Sequence, residues 1–344
     1  GDDRLKYGME MEGNTTKTSY KINDTIIDYS TEIGLYAIYK LLYRNVLVEP
    51  SLRLSYYASL GDVFLEPRLS AKWNVTKKFR FKLASGMYSQ TFLDTKSDRD
   101  IVNLFTGYLT VTPDLNIVDS FRGNPINSYV QTSNHFIFGA EYDILRNFNL
   151  NVELYYKTMS NLTSINRDKL YADDQEHIEK PGYLRKEYTV ENGKAYGADF
   201  SLKYDDGRLY VWTIYSLGKV IREGEMQTYA PHYDRRHNVN VLINYQMGQS
   251  RDFEISVRWN FGSGFPYSPT GINSDFISQN GTLTTIYGDL NSKRLPNYHR
   301  LDISAKKRFD IGKRSILEIN LSVTNVYNRN NLFYWNRITS QRVD

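Results

Sequence analysis

The chain has 344 residues, with five histidines and no cysteine. Thiolate metal sites, cysteine nucleophiles and disulfides are therefore out. His135, His177, His232, His237 and His299 form no HExxH or other close ligand pair. His232 and His237 flank Tyr233-Asp234-Arg235-Arg236, a context that suits the polar entrance of a strand better than a metal site. Neither a GxSxG nucleophile elbow nor a phosphate-binding P-loop occurs, and Gly262-Ser263-Gly264-Phe265 closes a strand rather than opening a helix. The carboxylate pairs Asp173-Asp174 and Asp205-Asp206 fall in loops or turns, where they are solvated. No catalytic residue, metal ligand or cofactor is assigned, and the chain is expected not to be an enzyme.

Binding chemistry remains. The segment Asp119-Ser120-Phe121-Arg122-Gly123-Asn124-Pro125-Ile126-Asn127-Ser128-Tyr129 is rich in hydrogen-bonding groups and holds two aromatics. Loops on a rigid scaffold are where binding usually resides. Arg122, Asn124, Asn127 and Tyr129, with Arg235 in a later loop, are the candidate ligand-binding residues, as donors and stacking surfaces. Each of these residues taken singly suits a structural role in its loop better than a ligand contact.

The elements that must position them are strands. Phe148, Leu150, Val152, Leu154 and Tyr156 alternate with Asn149, Asn151, Glu153, Tyr155 and Lys157. Phe253, Ile255, Val257 and Trp259 alternate with Glu254, Ser256, Arg258 and Asn260. Period-two alternation makes one face apolar and the other polar. About thirteen such segments are read, near 4–13, 31–43, 46–58, 62–74, 78–90, 132–145, 147–160, 194–204, 207–218, 236–247, 251–262, 299–310 and 313–326. Residues 331–341 are a candidate fourteenth.

Most of these segments exceed the five or six residues typical of soluble strands, and meet the roughly 9–11 that cross a bilayer. Short turns, such as Leu145-Arg146-Asn147 and Asp205-Asp206-Gly207, alternate with mostly longer loops at 14–30, 91–131, 161–193, 219–235 and 263–298. That asymmetry belongs to outer-membrane barrels. The expected fold class is all-β, a transmembrane antiparallel β-barrel. Apolar residues then face lipid and polar ones a wet lumen, where Arg53, Arg80, Arg258 and Lys306 set the potential. Tyr56, Tyr57, Tyr155, Tyr156, Trp212, Tyr215 and Trp259 are expected in the interfacial aromatic girdles. No apolar run approaches the ~18 residues of a membrane helix. Forty-three Lys+Arg against 39 Asp+Glu give +4 with no basic stripe, so no nucleic-acid partner is expected.

Several segments together resemble the barrel portion of TonB-dependent outer-membrane receptors of the Bacteroidetes type. They are Leu65-Glu66-Pro67-Arg68-Leu69-Ser70 with the strand through Gln90, Arg122-Gly123-Asn124-Pro125 with Thr132-Ser133-Asn134-His135, and Gly193-Lys194-Ala195-Tyr196-Gly197-Ala198-Asp199. Tyr233-Asp234-Arg235-Arg236-His237, Gly262-Ser263-Gly264-Phe265-Pro266-Tyr267, Arg294-Leu295-Pro296-Asn297-Tyr298-His299-Arg300-Leu301-Asp302 and Asn325-Val326-Tyr327-Asn328-Arg329-Asn330-Asn331 complete the set. Each alone is weak, and their order over 62–331 is specific. Ser128-Tyr129 depart from the family's Pro-Glu at that place.

The resemblance implies a 22-stranded barrel, of which about 13–14 strands are visible here. It also implies a lumenal plug, which Arg53, Arg80, Arg258 and Lys306 would contact in place of a solute, a bacterial outer-membrane location and energy delivered by TonB. The expected solutes are iron chelates, vitamins, oligosaccharides or peptides. Residues 1–344 are expected to be one partial barrel region, with plug and TonB box outside this chain. Outer-membrane lipid and TonB are the implied partners, and a surface lipoprotein or other outer-membrane subunits occur with related receptors. The alternative is a barrel subunit that has kept the fold for structure or interaction and lost transport.

Overall fold

The computed structural model describes residues 3–21, 24–94, 108–112, 115–166, 168–277, 283–312 and 315–332. Thirteen long strands follow one another: β1 (Arg4–Lys21), β2 (Asp24–Tyr43), β3 (Val46–Tyr57), β4 (Asp62–Asn74), β5 (Phe79–Gln90), β6 (Gln131–Leu145), β7 (Phe148–Ile165), β8 (Tyr188–Asp205), β9 (Leu209–Glu223), β10 (His237–Met247), β11 (Phe253–Gly262), β12 (Tyr298–Ile311) and β13 (Ser315–Val323). Each pairs antiparallel with its sequence neighbour in one continuous sheet, and short Thr228–Tyr229 adds to β9. Among the described residues β1 and β13 each pair on one side only.

Alternation explains both faces. The register aligns Leu83, Phe138, Leu154 and Ala198 across β5 to β8. The adjacent row carries Lys82, Gly139, Glu153 and Asp199. The apolar row belongs to an outer surface on which Phe136, Phe138, Leu154, Tyr156, Phe200 and Ile303 are all exposed. Phe81 stacks on Phe138 at 5.6 Å, and Phe200 on Tyr215 at 5.9 Å. A continuous exposed apolar surface of this kind needs a non-aqueous partner, and a bilayer supplies it once the backbone is paired across the sheet.

Each of the thirteen expected strands is present. The strands run further outward than alternation indicated. The expected loop 14–30 is mostly a paired extension of β1 and β2, with Asn14 opposite Ser30 and Thr15 opposite Tyr29. β7 reaches Ile165 and β8 starts at Tyr188, so 161–193 is also shorter as a loop. In β1 the stretch Gly13-Asn14-Thr15-Thr16-Lys17-Thr18-Ser19 has no apolar side chain and so no alternation to mark it, because nothing above the bilayer has to be apolar. The candidate strand at 331–341 has no strand at Asn331 or Leu332, and its remainder lies outside the described residues.

Three of the seven girdle assignments are wrong. Tyr57, Tyr155 and Trp212 lie on the inner surface. Tyr57 is 2% exposed and bonds Ser89 Oγ at 2.9 Å. Tyr155 lines an inner cavity with Glu153, Lys157 and Asp199. Its ring lies over Gly197, where a Cβ would come 2.6 Å from the phenol oxygen. Trp212 aligns with Leu242, Arg258 and Asp302, and its indole donates to Ser201 Oγ at 3.0 Å. Adjacent residues on a strand point to opposite faces, so Tyr56 and Tyr57, or Tyr155 and Tyr156, cannot share one girdle.

The inner charges are mostly paired. Arg53 bonds Glu10 at 2.7 Å and Glu32 at 3.1 Å, and Arg80 bonds Glu141 at 2.7 Å and Asp143 at 2.8 Å. Lys306 lies 3.5 Å from Glu254. Arg258 has no ion-pair partner among the described residues.

The short turns at the opposite end use local chemistry. Gly207 has φ +84°, a conformation that glycine adopts without Cβ strain. Asp206 Oδ1 accepts from the Arg208 and Leu209 amides at 2.8 and 2.7 Å. Those two backbone donors hold its carboxyl below the usual range.

Candidate solute-binding surface at the outer loops

The outer loops are knitted together by side chains. Segment 115–130 packs on the outer part of β8 through Ile117, Val118, Tyr188 and Val190, all buried. The Glu187 and Tyr188 amides both donate to the Asn116 carbonyl at 3.0 Å. Asn161 Nδ2 donates to the Ser128 carbonyl at 3.0 Å, and Ser128 Oγ to Asp62 at 2.6 Å, which ties the segment to β4 and β7.

Arg122 occupies the tip of a small hairpin, with φ 49°. Its amide donates to Glu225 Oε2 at 2.7 Å, and its guanidinium to the Gly224 carbonyl at 2.8 and 3.2 Å. Arg122 therefore fastens this segment to the loop after β9. Tyr129 is half-buried against the Val118 cluster and donates to the Val118 carbonyl at 3.2 Å. Burial, then the charge of Asp119, pushes its phenol pKa up. Asn124 Nδ2 donates to the Arg122 carbonyl at 3.4 Å, and Asn127 is exposed. Of the four, Arg122 and Tyr129 hold the loop, and Asn124 and Asn127 stay at its surface.

The loop after β9 is clasped to the loop before β12. Asp234, 1% exposed, accepts from the Val220 amide at 2.7 Å and pairs with Arg294. Arg294 also donates to the Asp234 carbonyl at 2.9 Å and the Gly264 carbonyl at 3.1 Å. Asn291 Nδ2 donates to the Ala230 carbonyl at 2.9 Å.

Arg235 lies apart from the Arg122 group in these contacts. Its guanidinium sits 4.1 Å above the Phe265 ring and 5.7 Å from Tyr298. Nε is buried without a hydrogen-bond partner among the described residues. Burial lowers its pKa. It borders a cavity of about 570 Å³ on the inner wall, with Asn240, Arg258, Asn260, Tyr298 and Arg300 among the lining residues. His237, outside that cavity, meets Tyr215 OH at 2.9 Å, and the His232 ring stands edge-on to Tyr233 at 5.2 Å.

A family model described as TonB dependent receptor-like, beta-barrel, matches residues 5–328. The chain belongs to that family. No curated protein matches the sequence. Among solved structures, the FrpB iron transporter from Neisseria meningitidis is similar at 15% identity and a TM-score of 0.60, covering 95% of this chain and 48% of its own. The outer membrane transporter YddB from Escherichia coli gives 12% identity, 0.60, 96% and 46%. The siderophore receptor PirA from Pseudomonas aeruginosa gives 13%, 0.60, 95% and 51%. The chain spans about half the length of the structures it matches. The thirteen strands are thus part of a transmembrane barrel of the outer membrane.

Within this TonB dependent receptor-like barrel, the sequence reading found Arg235 and Arg258 separately and missed their neighbours. The register places Asn240, Asn260 and Arg300 in one cross-strand row. Asn238, Gly262 and Tyr298 form the next. A Cβ on Gly262 would come 2.6 Å from Arg235 Nε, so this glycine leaves the space in which the arginine lies. The available signal was the alternate polar positions Asn238 and Asn240 in β10, Arg258 and Asn260 in β11, and Arg300 and Asp302 in β12. Only strand pairing reveals that these positions are adjacent.

Proposed function

We propose that the chain is the barrel region, without plug and TonB box, of a receptor that takes up a polar solute across the outer membrane. Outer loops and the lumenal wall would capture the solute. A plug belonging to the remainder of the receptor, moved by TonB, would release it inward. No chemistry on the solute is required. The observation that carries this reading is the combination of an apolar outer face with a polar inner wall, beneath loops fastened to one another by Arg122, Asp234 and Arg294. Similar structures include an iron transporter, a siderophore receptor and a ferric enterobactin receptor, which supports iron chelates within the broader class of iron chelates, vitamins, oligosaccharides and peptides. The quoted motifs support the Bacteroidetes-type variety, in which a surface lipoprotein is a candidate further partner.

The test is uptake in the native cell. Deleting the gene is expected to abolish growth on one limiting solute, and deleting TonB to reproduce that loss for the same solute. Unchanged growth and uptake in the gene deletion across such solutes would leave a structural subunit as the better account.

A further inference from the structure

We propose that the loop after β9, residues 224–235, couples two groups of outer loops into one cooperative unit, so that a disturbance at either group is felt at the other. The inference goes beyond uptake and holds whatever solute is carried. The first group is segment 115–130, which is held by contacts of its own. Ser120 pairs with Pro125 and Phe121 with Asn124, and the Ile126 amide donates to the Asp119 carbonyl at 2.9 Å. The second group is 263–269 with 288–297. Pro266 pairs with Arg294 and Tyr267 with Lys293, and the Leu295 amide donates to the Phe265 carbonyl at 2.9 Å. Gly264 runs so close to the Leu295 carbonyl that no Cβ fits between them. Among the described residues no hydrogen bond or ion pair joins the first group directly to the second.

Residues 224–235 hold both groups. At one end the Arg122 guanidinium donates to the Gly224 carbonyl and the Arg122 amide to Glu225 Oε2. At the other, Asn291 Nδ2 donates to the Ala230 carbonyl, and Arg294 takes both the carboxylate and the carbonyl of Asp234. Between the two ends the Tyr229 hydroxyl reaches both oxygens of Glu191, at 3.1 and 2.9 Å, which fixes the middle of the loop to β8. The loop has little slack of its own. Thr228 and Tyr229 pair with Glu223 and Arg222, the Gly224 amide donates to the Gln227 carbonyl at 3.0 Å and the Asp234 amide to the Pro231 carbonyl at 2.8 Å, and Pro231 and Asp234 are buried. A chain pinned at so many points transmits a displacement instead of absorbing it. The Arg294 end resists opening, because separation would leave a buried carboxylate without its near cation, and Arg236 stands farther off, at 3.9 Å. Coupling carried by contiguous contacts of this kind is reciprocal.

Hydrogen exchange read by mass spectrometry on the full-length receptor in detergent tests the coupling. Arg294→Gln is expected to speed exchange at 228–235 and also at 117–126, by about fivefold or more, the size of one lost net hydrogen bond. Amides in the middle of β6 and β7 are expected to keep wild-type rates, which separates coupling from a general loss of stability. Asn291→Ala removes the neutral bond to Ala230 and leaves Asp234 paired. It is expected to act in the same direction with a smaller effect, and it keeps the test open should Arg294→Gln fail to assemble, as read by heat-modifiable gel mobility. In the Arg122→Ala background the effect of Arg294→Gln at 117–126 is expected to shrink, because the link it travels through is weakened. Acceleration confined to 228–235 and 263–297, with 117–126 at wild-type rates in both variants, would overturn the proposal. An undiminished effect in the Arg122→Ala background would do the same. Acceleration that extends through β6 and β7 would also overturn it, by assigning the change to the whole fold. None of these outcomes depends on transport, so the coupling and the uptake reading stand or fall separately.

Discussion

A guanidinium offers five donors, and whether they face the protein or a solute decides its role. Arg122 and Arg235 look alike in sequence, since both lie in polar loops between long strands. In the structure Arg122 turns its donors onto the Gly224 carbonyl, and its own amide onto Glu225. Arg235 packs its plane on Phe265 and leaves Nε unmatched. Replacing Arg122 by Ala is expected to loosen the clasp between 115–130 and 224–227 by about 1–2 kcal/mol, since a net hydrogen bond is worth about 1 kcal/mol and more when charged. Hydrogen exchange of the amides near 117–126 and 224–227 should accelerate several-fold, while solute affinity changes only as far as the loop moves. Unchanged exchange together with lost solute binding would return Arg122 to the role of a direct ligand contact.

At the scale of the element, the short turns carry chemistry that can be titrated. Asp206 accepts two backbone amides at the β8–β9 turn, which holds its carboxyl below the usual value. Its contribution to the turn is complete above the unfolded-state value of about 3.9 and is lost as the pH falls through the lower folded-state value. Protection factors for the Arg208 and Leu209 amides should therefore persist at pH 4 and fall only below it. Loss of protection already near pH 5 would contradict the assignment of those bonds. The turn itself was legible, because Asp-Asp-Gly between two alternating runs names it. The strands were legible for the same reason: Leu154 and Val152 on one face, and Glu153 and Asn151 on the other, leave a single register of burial. Polar β-extensions such as Thr15 opposite Tyr29 were not, since above the bilayer neither face is constrained. Contacts far apart in sequence, Asp234 with Arg294 above all, are invisible to any local pattern. The misplaced girdle residues Tyr57, Tyr155 and Trp212 were recoverable, because strand parity alone puts each opposite its apolar neighbour.

For the whole molecule, the abundance of both aromatics and charges resolves into two surfaces of one sheet. The outer surface meets hydrocarbon, so it must be apolar at the depth of the bilayer; the inner surface meets water and protein, so its charges must pair or await a partner. Arg53, Arg80 and Lys306 take the first course and Arg258 the second. The orientation is testable at one position. Val152 lies on β7 between Ala140 and Phe200 on the outer face, five residues beyond the Asn147 turn residue. A membrane strand needs about 9–11 residues, which puts this side chain near the midplane. An arginine there should cost about 2–4 kcal/mol, whereas the neighbouring Glu153→Arg faces the lumen and escapes that hydrocarbon penalty. Folding titrations into lipid vesicles, read by gel mobility with and without heating, compare the two variants in the full-length receptor. Wild-type stability and assembly for Val152→Arg would place the lipid on the other face of the sheet, and with it the cavity, the clasped loops and the arginines assigned here to the lumen.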